Sequence, residues 1–484
     1  MALGIYFALL LVIGFMAYRK TRNHEDYMLG GRNLPSWVAA LSAGASDMSG
    51  WLIMGLPGAI YATGLIESWI AVGLLIGSYL NWRLVAPRLR AYSEVSRNSI
   101  TIPSFFENRL RDRTRVLRTV ASLIILVFFT LYISSGMVAG GIFFETTFGG
   151  DYLVGMLIVT AVTLCYTLFG GFLGASLTDV VQGLIMVTAL VVVPIIAIIS
   201  IGGFGETAAI VETVGAGNLS FFGGGALTTG AAALIIISGL AWGLGYFGQP
   251  HIIVRFMALR SPQEAASARR VGTSWQFLSL LGAISTGLIG IAYFDKFGGA
   301  TQNPETVVLL ISQVLLHPFV AGLVLASVLA AIMSTLSSQL IVCSSALVED
   351  IYRAVKKPAP SEKTLVVLGR LGVLVVAIIA GLLAISPNDS ILALVAFAWA
   401  GFGAAFGPIV LLSLYWRKLT NWGAIAGMLT GSATVFIWKA FDTGLYELLP
   451  AFAVALVVTI CVSLATYRHQ EEISQEFKAA EAML

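Results

Sequence analysis

The residues best able to do chemistry sit where an apolar chain has no ordinary use for them. Asp47 lies in SAGASDMSGW (42–51), inside an otherwise apolar stretch. A lone carboxylate in the middle of a lipid bilayer costs about 2.5–3.5 kcal/mol, so it must face protein, water or a cation. Gly44 and Gly50 flank it, Ser42, Ser46 and Ser49 crowd it, and Gly55, Pro57 and Gly58 follow. Glycine and proline weaken a helix. An interruption here frees carbonyl oxygens near Ala45 and Met48, which suit a hard cation such as Na⁺. The competing reading is structural: a carboxylate capping unwound backbone or tying two helices, among glycines that only allow close packing.

Two further segments carry polar groups in apolar surroundings. GLAWGLGYFGQPH (239–251) holds Gly239, Gly243, Gly245, Gly248 and Pro250, so a second interruption is expected there. Trp242, Tyr246 and Gln249 add aromatic faces and hydrogen-bonding groups beside it, unless they serve core packing alone. GLGYFG formally fits G-x-G-x-x-G, but no strand precedes it and no βαβ unit surrounds it, so a dinucleotide site is rejected. In AAIMSTLSSQL (330–340), Ala331, Ser334, Thr335 and Ser338 share one helix face. Two hydroxyls and a carbonyl there make neutral oxygen ligands, unless the hydroxyls simply bond back to their own helix. The four histidines are far apart, and Cys165, Cys343 and Cys461 sit in apolar runs without a pairing pattern.

The elements that position these groups follow from composition. Of 484 residues, 58% are apolar and 11% charged, too little charge to cover a soluble protein of this size. A basic nucleic-acid-binding face and intrinsic disorder are excluded with it. The remaining class is an all-α polytopic membrane protein. About 20 apolar residues cross a bilayer core. Thirteen spans are expected, at 2–18, 36–63, 66–86, 117–145, 152–171, 178–203, 228–257, 270–294, 317–346, 364–386, 390–416, 421–441 and 446–467. The first reads as an uncleaved span. With the N-terminus outside, 26 of the 28 basic residues fall on the cytoplasmic side and only Lys296 and Lys439 outside. Loop 87–116 is then topology-fixing charge at the lipid headgroups, 355–363 a solvated linker, and the tail after Arg468 cytoplasmic.

The two interrupted spans lie five apart, so 36–203 and 228–416 form two five-helix units of opposite orientation. Inverted repeats of this kind mark secondary transporters, with the site at the midplane between them. A cation is expected between the span 2 carbonyls and the span 9 hydroxyls, and a solute between the two interruptions. Residues 1–35 supply a first helix and loop, 421–467 two additional helices, and 468–484 the tail. A channel, a membrane sensor and an integral-membrane enzyme are the rival classes. A sensor lacks room for an output domain, and no nucleophile–base arrangement or metal cluster supports an enzyme.

On these segments, with FFTLYISSGMVAGG, YTLFGGFLGASLTDVVQ, AAIMSTLSSQLIVCSSALVEDIYR and FAWAGFGAAFGP, the chain resembles the sodium:solute symporter family over essentially its whole length, most closely its bacterial proline-carrying members. The resemblance implies a leucine-transporter-like inverted-repeat core and Na⁺-coupled uptake of L-proline, one sodium per proline. It implies a plasma-membrane protein whose partners are Na⁺, L-proline and the lipid bilayer, with no organic cofactor and a single chain as the working unit. By matched motif, Ala45, Met48, Ala331, Ser334 and Thr335 resemble the sodium ligands. Asp47 resembles the carboxylate needed for sodium affinity. Ser49, Gly50, Trp51, Tyr132, Trp242, Tyr246, Gln249 and Pro250 resemble the proline pocket and its gates, and Arg32 a cytoplasmic residue acting on coupling. Another solute of the same family (an amino acid, pantothenate, a monocarboxylate or a sugar) is the alternative.

Overall fold

A computed structural model of the chain describes residues 2–20, 29–224, 227–299, 301–353, 361–387 and 389–484. Arg22 and residues 355–360 of the expected linker lie outside them. The described chain is helical. The helices are α1 (Ala2–Lys20), α2 (Ser36–Asp47), α3 (Leu56–Thr63), α4 (Trp69–Leu80), α5 (Ala86–Val95), α6 (Ile102–Arg109), α7 (Val116–Phe148), α8 (Tyr152–Ile201) and α9 (Phe204–Val214). They continue as α10 (Thr229–Ala241), α11 (Pro250–Met257), α12 (Ala265–Phe297), α13 (Val307–Leu315), α14 (Pro318–Ser345) and α15 (Glu362–Ala384). The last are α16 (Ile391–Tyr415), α17 (Asn421–Ala440), α18 (Leu448–Thr466) and α19 (Glu471–Ala482).

Among the described residues, nine helical stretches are long and apolar enough to cross a membrane. A helix satisfies its own backbone, which lipid cannot do. α15 shows the consequence for side chains. Val373 and Ala380 are buried, yet Val375, Ile378 and Leu382 are exposed on its other face, apolar throughout. A helix apolar all round belongs in a bilayer or a deep core.

The expected span 36–63 is divided. α2 stops at Asp47, Met48 leaves helical geometry (φ −78°, ψ 77°), and a π-helical turn at Trp51–Gly55 leads into α3. The expected span 228–257 is divided too. α10 passes into a tight 3₁₀ segment, Trp242–Gly248, and extended Gln249 then starts α11. The expected spans 152–171 and 178–203 meet inside α8, where Gly171 leaves helical geometry (φ 57°, ψ −159°) and kinks one helical stretch against the next, a conformation open to glycine and strained for any other residue. Between the expected spans 178–203 and 228–257, Phe204–Val214 form α9, packed on α12.

Glycines place the second interruption. A β-carbon at Gly73 would fall 2.5 Å from the Gly239 carbonyl oxygen, and one at Gly77 2.2 Å from that of Gly243. α4 therefore meets α10 and the 3₁₀ segment backbone to backbone. On the other side, Gly248 touches the Phe402 carbonyl of α16. The starting end of α2 and the finishing end of α11 are joined: Leu34 N–H donates to Ala258 O (3.1 Å), and Leu34 pairs with Leu259 in an isolated β-bridge.

Gly77→Ala should therefore cost about 1–3 kcal/mol by overpacking, read as a lower melting temperature of the detergent-solubilised chain. Gly4→Ala, which meets nothing within 4 Å, should leave the melting temperature unchanged or raise it.

Candidate functional site

The two interruptions meet through Asp47. Its carboxylate is 1% exposed. One oxygen, Oδ2, accepts a short hydrogen bond from the Tyr246 hydroxyl, and Oδ1 has no partner. Tyr246 comes from the 3₁₀ segment, so this bond ties the end of α2 to the second break. Its hydroxyl also accepts from Gln276 Nε2 (2.8 Å), and its carbonyl from Asn81 Nδ2 (2.9 Å). The released carbonyl of Asp47 accepts from Trp51 Nε1 at 3.0 Å. The weighed structural role, a carboxylate tying two helices, is present, and Oδ1 remains a free buried acceptor.

Beside it, α2 meets α14. Ser334 Oγ donates to Ala45 O (2.7 Å) and lies 3.2 Å from Ala331 O. Thr335 Oγ1 donates to Ala331 O at 3.3 Å, the backward bond common for helix hydroxyls. Ala45, Met48, Ala331, Ser334 and Thr335 are all buried, with Met48 at the interruption itself. Two carbonyls and two hydroxyls thus converge across the α2–α14 contact. Ser338, on the same face, turns away and accepts from Arg255 Nη2 (2.7 Å).

Aromatic rings form the adjoining wall. Trp51 and Trp242 have centroids 6.1 Å apart, and Trp242 stacks on Tyr446 at 5.3 Å. Trp399 stands edge-on to Tyr246 at 5.1 Å and donates through Nε1 to Trp242 O (2.9 Å). Tyr132 of α7 places its buried hydroxyl against Ser49 and Trp51 without a hydrogen bond of normal geometry. Ser49 and Gly50 occupy the first interruption, and Ser49 Oγ accepts from Trp51 N–H (3.5 Å). Gln249 spends its amide on Gly245 O and Trp399 O, holding the second interruption open, and Pro250 opens α11.

Arg32 is not in this cluster. It donates to Ser93 Oγ (3.0 Å) and Met257 O (3.0 Å), joining the chain before α2 to α5 and the end of α11.

Three groups were missed from sequence. Asp179 and Arg255 form a buried ion pair (3.3 Å), with Ser42 Oγ donating to Asp179 at 2.7 Å and Arg255 Nε to Ser42 Oγ at 3.2 Å. Ser42 lies one turn from Ala45 and Ser338 one turn from Ser334, so this pair adjoins the oxygen cluster. Arg255, near the end of the expected span 228–257 and counted among the charges of the cytoplasmic side, is 1% exposed and held by its hydrogen bonds. The signal for Asp179 was an acid inside an apolar run, the same signal that exposed Asp47. Glu305 accepts from the N–H groups of Ile391 (2.9 Å) and Leu392 (3.0 Å), capping α16 with charge at its positive end. Trp399 lies within FAWAGFGAAFGP, and its place beside Trp242 and Tyr246 follows only from tertiary packing.

Residues 27–431 match the sodium:solute symporter family. The chain is 52% identical over 487 residues to the osmoregulated proline transporter of Bacillus subtilis, covering 100% of this chain and 98% of the relative. It is 52% identical over 470 residues to that organism's high-affinity proline transporter, with 97% and 98% covered. The sodium/proline symporter of Staphylococcus aureus is 50% identical over 480 residues, with 96% and 92% covered. Among solved structures, the substrate-bound outward-open state of a Na⁺-coupled sialic acid symporter superposes with a TM-score of 0.82 at 19% identity, covering 97% and 98%. The closed nucleobase-cation-symport-1 family transporter Mhp1 gives 0.52 at 14% identity, covering 94% and 98%.

Tyr246→Phe removes the donor to Asp47 and should lower folding stability by about 1–3 kcal/mol, seen as earlier thermal unfolding. Tyr132→Phe removes a hydroxyl without a partner and should change stability by less than about 0.5 kcal/mol.

Proposed function

The chain belongs to the sodium:solute symporter family, and on that premise we propose that it couples inward Na⁺ movement to uptake of L-proline by alternating access. It is a membrane transporter and not an enzyme. The observation that carries the reading is the junction of two interrupted helices through Asp47 and Tyr246, beside converging oxygens from α2 and α14. Identity of 50–52% to three proline transporters along nearly their full length supports the solute.

In this reading Na⁺ takes the oxygens of Ala45, Met48, Ala331, Ser334 and Thr335. A hydroxyl is donor and acceptor together, so Ser334 can give up its bond to Ala45 O and turn a lone pair to the cation. Asp47 supplies negative charge within one turn of those ligands and holds the second interruption through Tyr246. The same bond gives Na⁺ and solute a shared dependence, and any coupling so produced must be reciprocal. Proline, a zwitterion with an apolar ring, fits against Trp51, Trp242, Tyr246 and Tyr132, near Ser49, Gly50, Gln249 and Pro250. Its carboxylate suits a half-helix N-terminus and its ring an aromatic face. Arg32 acts at a distance, on the joined cytoplasmic ends of α2 and α11.

Residues 36–203 and 228–416 form the inverted repeats, with 1–35 ahead, 421–467 as added helices and 468–484 as the tail. The chain works singly in the plasma membrane, N-terminus outside and C-terminus cytoplasmic, without an organic cofactor. One charge crossing 100 mV supplies about 2.3 kcal/mol and a tenfold sodium gradient about 1.4 kcal/mol. Together they sustain about a 500-fold proline gradient.

Proteoliposomes should take up labelled proline only under an inward sodium gradient, and excess unlabelled alanine, pantothenate, lactate or glucose should not compete. Competition by one of these, or uptake without sodium, would replace the solute or the coupling ion. Asp47→Asn, and separately Ser334→Ala with Thr335→Ala, should raise the half-saturating sodium concentration about tenfold or more, equivalent to about 1.4 kcal/mol. Unchanged sodium curves in both would remove these residues from the cation site. Trp242→Ala should raise half-saturating proline more than half-saturating sodium.

A further inference from the structure

The segment after Arg468 is not a bare tail. α19 buries Ile473, Phe477 and Ala480, spaced as one helix face. Phe477 (4% exposed) inserts between Tyr92, edge-on at 5.6 Å, and the guanidinium groups of Arg109 (5.6 Å) and Arg417 (5.0 Å). Around this anchor the helix presents carboxylates to arginines. Arg111 meets Glu476 (2.6 Å) and Glu472 (3.5 Å), and Glu481 lies between Arg88 (3.6 Å) and Arg417 (3.5 Å). Gln263 Nε2 donates to Met483 O at 2.8 Å.

These partners come from two sets of elements. Arg88 and Tyr92 belong to α5, and Gln263 follows α11. α5 continues α4, and α4 and α11 flank the second interruption. Arg109 and Arg111 precede α7. Arg417 follows α16, to whose end Arg109 is bound through Ser413 O (3.1 Å) and Trp416 O (3.4 Å). α19 therefore spans both sets, which also meet directly where the Tyr415 hydroxyl donates to Leu84 O (2.9 Å) and Arg88 to Leu414 O (3.4 Å), at the end where Leu34 and Leu259 are paired.

We propose that α19 is an electrostatic strap that holds this end of the protein closed and is loosened by salt on its own side of the membrane. The proposal rests on the alternating-access reading for its consequence in transport. The charges favour a strap over a permanent structural helix. The Glu481 pairs are around two-fifths exposed at the carboxylate, and the Arg111–Glu476 pair is less so. Exposed pairs of this kind weaken as the screening length falls from about 10 Å at 0.1 M salt to about 3 Å at 1 M. What remains is one aromatic anchor, a short apolar face and the Gln263–Met483 hydrogen bond.

The test uses the full chain in nanodiscs, with the exposed Cys165 and Cys461 changed to Ser and spin labels on Ala266→Cys and Val116→Cys, exposed starts of α12 and α7. Glu476→Lys and Arg111→Glu should each shift the population toward longer separations by about fivefold, from the loss of the Arg111–Glu476 pair and the like-charge contact that replaces it. Deleting 470–484 should do the same. Wild type should acquire the shift between about 50 mM and 1 M KCl. The combined swap Arg111→Glu with Glu476→Arg should restore the wild-type distribution. Trypsin cleavage at Lys478 reports whether α19 has left its seat. Release without any change in separation would overturn the strap, and so would failure of every charge change to release it. A separation that responds while sodium-driven proline uptake is absent would leave the strap standing and refute the transport reading.

Discussion

Where a helix stops inside a bilayer, its freed carbonyls have no water to turn to, and each must be met by protein or by something bound. The donors chosen here divide the two interruptions by chemistry. Asp47 O is met by the Trp51 indole, Trp242 O by the Trp399 indole, Tyr246 O by the Asn81 amide and Gly245 O by the Gln249 amide. An N–H group can only donate, so none of these donors can itself turn to a cation. Ala45 O is met by the hydroxyl of Ser334, which can change from donor to ligand. The placing of one serine among several nitrogen donors thus marks the one carbonyl whose donor can itself become a ligand.

Much of this arrangement was legible in the sequence, for a definite reason. A carboxylate, clustered glycines and prolines are costly in lipid-facing helices, so SAGASDMSGW and GLAWGLGYFGQPH stand out against their surroundings without any knowledge of contacts. The hydroxyl pair at Ser334 and Thr335 was legible through helical spacing. What stayed hidden depended on tertiary proximity. Arg255 looks like one more cytoplasmic arginine until Asp179, 76 positions away, is seen beside it. Glu305 sits in a 3₁₀ turn (Pro304–Thr306), and its role comes from the start of α16, 86 residues further on. Gly171 alone breaks the backbone between two helical stretches of α8, so the connection is shorter than the six residues expected there. α19 reads as a polar tail because its apolar face is narrow and its partner arginines belong to segments already explained by membrane topology.

The likeness to the sialic acid symporter at 19% identity shows how little of the fold depends on particular side chains. The constraints that must persist are spatial. α4 approaches the 3₁₀ segment with no atom beyond the backbone at Gly77 and Gly243, and Gly245 admits Trp399 only because it has no β-carbon, which would lie 1.9 Å from Nε1. Such contacts fix where the 3₁₀ segment runs. Polar groups such as Tyr246 and Gln276 are then brought to Asp47 with the register set by packing, and the ring wall of Trp51, Trp242 and Tyr446 follows from the same placement.

The Leu34–Leu259 bridge, with Arg32 reaching Met257 O, splices the free ends of two half-helices that run from different interruptions. While that splice lasts, α2 and α11 form a single lever with two arms, one ending at Asp47 and the other at Pro250. A load placed on either arm is delivered to the other without a relay of intermediate side chains.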